Sequence, residues 1–293
     1  MKQPIELRRL RDFGQIINDS FTFLKDNFKP MMQPLLVICG FFIVLGTISS
    51  VFTYMNMSTF FNFSFKSTAF QSQEQSIQYI ISAFITAFIA ILTQSFIHLV
   101  TMCYISVYLQ KNNETPTLFE VWDYFKFYFL RVLGSSIVIA ILGGFAFLFC
   151  LVPGFYLLPI LYLIIPIIVI ENSSLGYAFN KSFRLIKGQW WTTFGVIFVF
   201  GVIIYVANLI ASIPVSVITM GGKFLTLKSF KLPLVIIFSA LSNLLLLVYA
   251  LPTIAICMCY FSLNEEKEGT GLLNRIDRFG KGNDGPTLPK EEY

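Results

Sequence analysis

Charge is what this chain of 293 residues has least of: 13% of its residues are Asp, Glu, Lys or Arg. Soluble domains carry roughly 25%, so the sequence cannot wet an ordinary globular surface. A hydrophobic share of 56% and a mean hydropathy of +0.72 assign most of that surface to lipid. There is one histidine, which leaves little for metal or proton chemistry. The five cysteines, at 39, 103, 150, 257 and 259, lie inside apolar runs and not in loops. They read as free, small hydrophobes and not as a disulfide scaffold. Met1 to Lys29 holds six basic and four acidic residues and no continuous apolar stretch, unlike a cleavable signal.

What is present in quantity is long uncharged sequence. Five runs lack Asp, Glu, Lys and Arg: 30–65, 75–110, 132–170, 188–222 and 232–264. Each exceeds the roughly 20 residues that cross about 30 Å of hydrocarbon as a helix. The third is long enough to cross twice, and Pro153 and Gly154 near its middle suggest the fold-back. The spacing therefore predicts six spans, at about 33–54, 78–108, 132–151, 154–171, 191–218 and 234–262. With the N-terminus inside, the inner segments hold 17 Lys and Arg and the outer loops 4. The positive-inside rule then places both termini in the cytoplasm.

The inner segments are patterned. Phe13, Ile17, Phe21, Leu24 and Phe28 recur at spacings of 4, 4, 3 and 4, as on an amphipathic helix lying at the interface. The triplet Phe21, Lys25 and Phe28 reappears with the same internal spacing as Trp122, Lys126 and Phe129, and again as Phe183, Lys187 and Trp190. The expected fold is thus all-α: six transmembrane helices as three hairpins, each preceded by a cytoplasmic elbow helix. The repeats are 1–110, 111–171 and 172–262, and a flexible cytoplasmic tail follows at 263–293. Ser136, Ala140 and Gly144 stand four apart, the small-residue spacing that lets helices approach. Glu171, Arg184 and Lys187 offer ion pairs beside the elbows. With the aromatic and lysine positions above, they form the candidate surface for lipid or a partner.

No acid or base occupies the centre of a span, which disfavours a proton-driven pump. Gln94, His98 and Thr101 share one face of the second span, and Asn208 and Asn243 are available from the fifth and sixth. Such a stripe either lines a polar cavity or hydrogen-bonds between helices. One histidine without an intramembrane carboxylate is a poor basis for hydrolysis. No phosphate loop, nucleophile elbow or dinucleotide fingerprint occurs. We expect no enzyme activity, no cofactor, no metal and no nucleic-acid partner.

The stretch Leu151-Val152-Pro153-Gly154-Phe155-Tyr156, followed by Pro166, Glu171, Ala178, Ser182, Leu185, Lys187, Gly188 and Trp190, resembles the glycerophosphoryl diester phosphodiesterase membrane domain. Phe21, Leu24, Lys25 and Asn27 fit the same pattern. The resemblance implies a six-span protein of a bacterial plasma membrane. In that family the membrane part can precede a soluble phosphodiesterase barrel. Here only the short polar tail at 263–293 follows the last span, so neither the barrel nor its activity is expected. The reading that follows is a non-catalytic scaffold, anchor or modulator of a protein partner or lipid at the cytoplasmic face. Its alternative is a transporter or lipid-handling permease lined by Gln94, His98 and Thr101.

Overall fold

The computed structural model describes residues 5–63, 69–111, 113–149, 151–221 and 231–269. Its elements are α1 (Phe13–Asp26), α2 (Phe28–Phe63), α3 (Ala69–Gln110), α4 (Leu118–Phe149), α5 (Leu151–Ile170), α6 (Leu175–Ile186), α7 (Trp190–Gly221), α8 (Lys231–Leu245) and α9 (Ala250–Glu268). A 3₁₀ turn, Leu246–Tyr249, joins α8 to α9. Six segments are long and apolar enough to cross a membrane: Phe28–Met57, Ser76–Gln110, Leu118–Leu148, Pro153–Ile170, Trp190–Ile218 and Leu232–Glu268. The chain is a multi-pass helical membrane protein, and α2/α3, α4/α5 and α7/α8–α9 pack as pairs.

The core fills only one half of this bundle. Buried residues crowd the start of α2 (Met31, Leu35, Cys39), the end of α3 (Ile97 to Tyr108) and the start of α4 (Val121, Phe125, Tyr128). The end of α5 (Ile160 to Val169) and nearly all of α9 from Ala250 to Leu263 complete it. These are the halves nearest the described termini. The opposite halves expose Ile48, Phe52, Phe84, Ile141, Phe145, Ile210 and Ile237. Hydrocarbon is as apolar as they are, so nothing drives them inward. Hydroxyl and amide bonds tie the helices there: Ser49 and Thr53 each meet the Thr86 hydroxyl, at 2.7 and 2.8 Å, and Ser242 donates to the Ala211 carbonyl at 3.1 Å.

Two elbows are separate helices. Asp12 caps α1 in a reciprocal box with Gln15, and the Ser174 hydroxyl caps α6. The buried stripe of α1 is Ile16, Asp19, Ser20 and Phe23, and that of α6 includes Ala178, Lys181, Ser182 and Leu185. The two stripes share one spacing, so the four positions of α6 align one for one with those of α1. The expected second elbow differs. Residues 118–149 form one helix without interruption, so Trp122, Lys126 and Phe129 sit on an extension of the third span. The break after α1 falls at Asn27, and that after α6 at Gly188 with φ +93°. Residues 127–133, Phe-Tyr-Phe-Leu-Arg-Val-Leu, contain no such breaker.

The fold-back of the third run also departs from expectation. α5 begins at Leu151, so Pro153 falls within its first turn, where proline is tolerated. Gly154 serves close approach: a Cβ there would lie 2.6 Å from the Phe147 ring of α4. Pro159, Pro166 and Pro214 lie inside helices that continue through them, while the 3₁₀ turn precedes Pro252. Cys39, Cys103, Cys257 and Cys259 are free and buried. Residues 263–268, assigned above to the tail, extend α9, and 270–293 lie outside the described residues.

Candidate functional site

Pro252 has no N–H to offer the Val248 carbonyl, and the backbone ahead of it tightens into the 3₁₀ turn. The Thr253 hydroxyl donates to the Tyr249 carbonyl at 2.9 Å and is hydrogen-bonded to His98 Nδ1 of α3. The Tyr249 ring stands edge-on to His98, with centroids 6.1 Å apart. Its hydroxyl accepts from Asn208 of α7 at 3.4 Å. One imidazole, one threonine, one tyrosine and one asparagine therefore link α3, α7 and the broken last helix at membrane depth. Each is hydrogen-bonded, as buried polar groups must be.

His98 stands between two cavities. One, of about 380 Å³, is bounded by α3, α4, α5 and α9; its wall includes Ser136, Ala140, Gly143 and Gly144 of α4, with Ser95 and Tyr162. The other, of about 120 Å³, is lined by Gln94 and by Phe200, Gly201 and Ile204 of α7. His98, Tyr162, Pro252 and Ile256 border both. The small residues of α4 thus line open space. An added Cβ at Gly144 would meet nothing within 4 Å, and one at Gly143 only Leu161 at 3.4 Å.

The five residues of the expected polar stripe are not gathered on one wall. Gln94 and His98 face cavities. Thr101 is fully buried and donates to the Ile97 carbonyl at 2.8 Å. Asn208 donates to the Ile204 carbonyl at 2.8 Å. Asn243 donates to the Ser239 carbonyl at 2.9 Å and to the Ser50 hydroxyl of α2 at 3.2 Å. The polar groups outside the His98 cluster work as ties along and between helices. Sequence reading passed over Thr253 and Tyr249, although the Tyr-x-x-Pro-Thr run marks a helix whose own backbone bonds are interrupted.

At the end of the bundle nearest the termini, the elbows are locked by ions. Lys181 of α6, its side chain 4% exposed, reaches Glu171 at 2.7 Å and Glu268 at 2.9 Å. Arg184 adds a contact to Glu268 at 2.8 Å, and the Tyr260 hydroxyl donates to Glu171. Burial lowers the pKa of Lys181, but hydrogen bonds to the two glutamates outweigh it and leave the ammonium above its ordinary range. On α1, Asp19 accepts from Arg11 at 2.8 Å and from Arg9 at 2.7 Å. Burial depresses Arg11 against the opposing pull of Asp19. Glu171, Arg184 and Lys187 were expected in ion pairs, and among the described residues Glu171 and Arg184 form them and Lys187 does not; Lys181, Glu268 and Asp19 were not expected. A charge inside an otherwise neutral stripe was the available signal for Asp19 and Lys181.

The aromatic positions divide. Phe21 packs on Phe200, and Phe28 is half exposed. Trp122 stacks on Phe125 with the Lys126 ammonium 5.7 Å over its ring. Phe129 packs against Phe96, and Phe183 against Phe179. The Trp190 indole donates to the Tyr156 carbonyl at 3.0 Å and stacks on the Tyr156 ring. Lys25 is the basic residue of the last turn of α1, and Lys187 caps α6.

Residues 126–262 match a family model described as a domain of unknown function, DUF7847. The matched stretch starts within α4 and ends in α9, so it includes Lys181, Tyr249 and Thr253 but not His98. No curated protein and no solved structure matches the chain.

Proposed function

We propose that this membrane protein acts without catalysis and handles a membrane-soluble lipid, part of which enters the cavity beside His98. The observation that carries this reading is the cavity of about 380 Å³ between α3, α4, α5 and α9. Its size falls within the roughly 300–1,000 Å³ of ligand pockets. Its wall is apolar with a few polar groups, which suits a hydrocarbon chain bearing a hydroxyl, ester or amide near His98 and Ser95. A histidine whose Nδ1 is engaged by a threonine, with no Asp, Glu, Lys or Cys beside it among the cavity-lining residues, supports binding better than acid–base chemistry. The Lys and Arg distribution supports cytoplasmic termini, and the resemblance noted above supports a bacterial plasma membrane. The likeness to the glycerophosphoryl diester phosphodiesterase membrane domain fits a lipid setting without its hydrolase.

The test is photo-crosslinking with lipids carrying a diazirine in the chain, in membranes containing the full protein. Adducts on α4, α5 and α9 are expected, and filling the cavity with Ala140→Phe should abolish them while the protein still purifies as a monodisperse species. Adducts unchanged by that substitution would sink the reading.

A second reading, a scaffold or anchor for a membrane or cytoplasmic protein, is supported by the ion-locked end. There Phe28, Phe119 and Trp191, at the starts of α2, α4 and α7, are 52%, 77% and 79% exposed. It predicts a stoichiometric partner on purification in mild detergent, lost on Trp191→Ala.

A further inference from the structure

The Thr253 hydroxyl has one proton, and the Tyr249 carbonyl, which can only accept, takes it at 2.9 Å. The hydrogen bond between that hydroxyl and His98 Nδ1 therefore runs the other way: the imidazole donates and the threonine oxygen accepts. This fixes a ring proton on Nδ1 and leaves Nε2 with its lone pair. Among the described residues no Asp or Glu lines either cavity beside the ring, so a second ring proton would have no counter-charge there. The bond to Thr253 is the imidazole's one hydrogen bond among the described residues. Nε2 is thus an acceptor without a protein donor, on a ring that borders two cavities.

The surroundings narrow what can supply that donor. The Ser95 hydroxyl spends its proton on the Ile91 carbonyl at 2.9 Å, so it too offers the larger cavity only an acceptor. Tyr162, on the wall of both cavities, has a hydroxyl to donate in return. Depth matters as well. About 20 Å of helix, at 1.5 Å per residue, separates His98 from Lys111, the first charged residue past the end of α3. Half of a hydrocarbon core is about 15 Å. A phosphate or ammonium headgroup at this depth would be an uncompensated charge, whereas an uncharged polar group needs only its hydrogen bonds.

We propose that the ligand of the His98 cavity is a lipid alcohol, whose hydroxyl donates to His98 Nε2 and accepts from Tyr162. This rests on the lipid-binding reading above and narrows it to a substrate class. An ester or an ether carries no proton for Nε2 and would leave that nitrogen buried and unpaired, which costs more than the bond itself contributes.

The chain has one histidine, so labelling both imidazole nitrogens of the full protein in detergent gives one pair of nitrogen NMR signals. Nδ1 should be protonated and Nε2 bare. Hexadecanol should move the Nε2 signal upfield as a hydrogen bond forms. Hexadecyl methyl ether, which keeps the chain and loses the proton, should leave it in place. In the photo-crosslinking assay above, hexadecanol should compete with the diazirine lipid about tenfold better than the ether, the worth of one hydrogen bond. Thr253→Val releases the ring proton to move to Nε2 and should erase that difference while the adducts remain. A proton found on Nε2 of the parent protein, or equal competition by the alcohol and the ether, overturns the alcohol assignment; the lipid cavity itself then still stands if Ala140→Phe abolishes the adducts. Adducts indifferent to Ala140→Phe remove both.

Discussion

Asp19 of α1 and Lys181 of α6 stand at equivalent positions of their helices, and each is the charged member of an otherwise neutral buried stripe. Their signs are opposite and their partners differ. Asp19 gathers Arg9 and Arg11, and the Arg11 backbone N–H donates to the Ser262 hydroxyl of α9 at 2.9 Å. Lys181 gathers Glu171 and Glu268. Both elbows are thereby fastened to the last helix, which is itself the most buried element. The one-for-one alignment of the two stripes supports a relation between the first and third elbows and gives none to the second.

Removing one partner from such a buried group leaves an uncompensated charge, which costs about 3–5 kcal/mol. Lys181→Met is expected to lower the stability of the purified protein by that order, read as a fall in the thermal midpoint in detergent. Lys181→Met with Glu171→Gln should cost less than Lys181→Met alone, because Glu171 has no other cation among the described residues, whereas Glu268 keeps Arg184 at 2.8 Å.

The same lysine sets an alkaline limit. Its pKa in the fold is raised above the ordinary 10.5, so its stabilisation is fully present below the unfolded value. That contribution is lost as the pH climbs through the higher folded value. Unfolding midpoints between pH 7 and 10 should hold constant with respect to this group and then decline, and the decline should be shallower in Lys181→Met.

Gly154→Ala drives a methyl into the Phe147 ring at 2.6 Å and should destabilise by about 1–3 kcal/mol, as overpacking does. Pairing it with Phe147→Leu is expected to recover part of the loss. Equal midpoints for Gly154→Ala and the parent would refute the close approach of α4 and α5.

Gly188 occupies the left-handed region, at φ +93°, with open space around it. Alanine there should cost about 1–2 kcal/mol from backbone strain alone, and asparagine less. Thermal midpoints of the two variants, measured side by side, check both the size and the order of the effect.

His98 and Thr253 share a hydrogen bond within the membrane segment. A double-mutant cycle with His98→Phe and Thr253→Val should return a coupling of about 0.6 kcal/mol, the average for such bonds. A coupling near zero would mean that the pair does not hold α3 to α9.

Much of the architecture was already contained in the order of residues. The absence of charge throughout runs such as 30–65 and 75–110 points to lipid, and their length points to helices, which pair every backbone group within the segment. Six spans followed from that, and helical periodicity marked the stretches that fold as the separate helices α1 and α6. The second elbow did not survive, because an aromatic face with a lysine specifies where a helix lies but not whether it ends. That depends on a breaker such as Asn27 or Gly188. Nor could composition distinguish a small-residue stripe that packs on a neighbour from one that lines a cavity. Ser136, Ala140 and Gly144 do the latter. Three-dimensional packing alone decided which polar residues meet across helices: His98 with Thr253, and Lys181 with Glu171 and Glu268. Such partners, distant in the chain, are joined by the tertiary fold and leave no local pattern, whereas a membrane span is a local property of its own sequence.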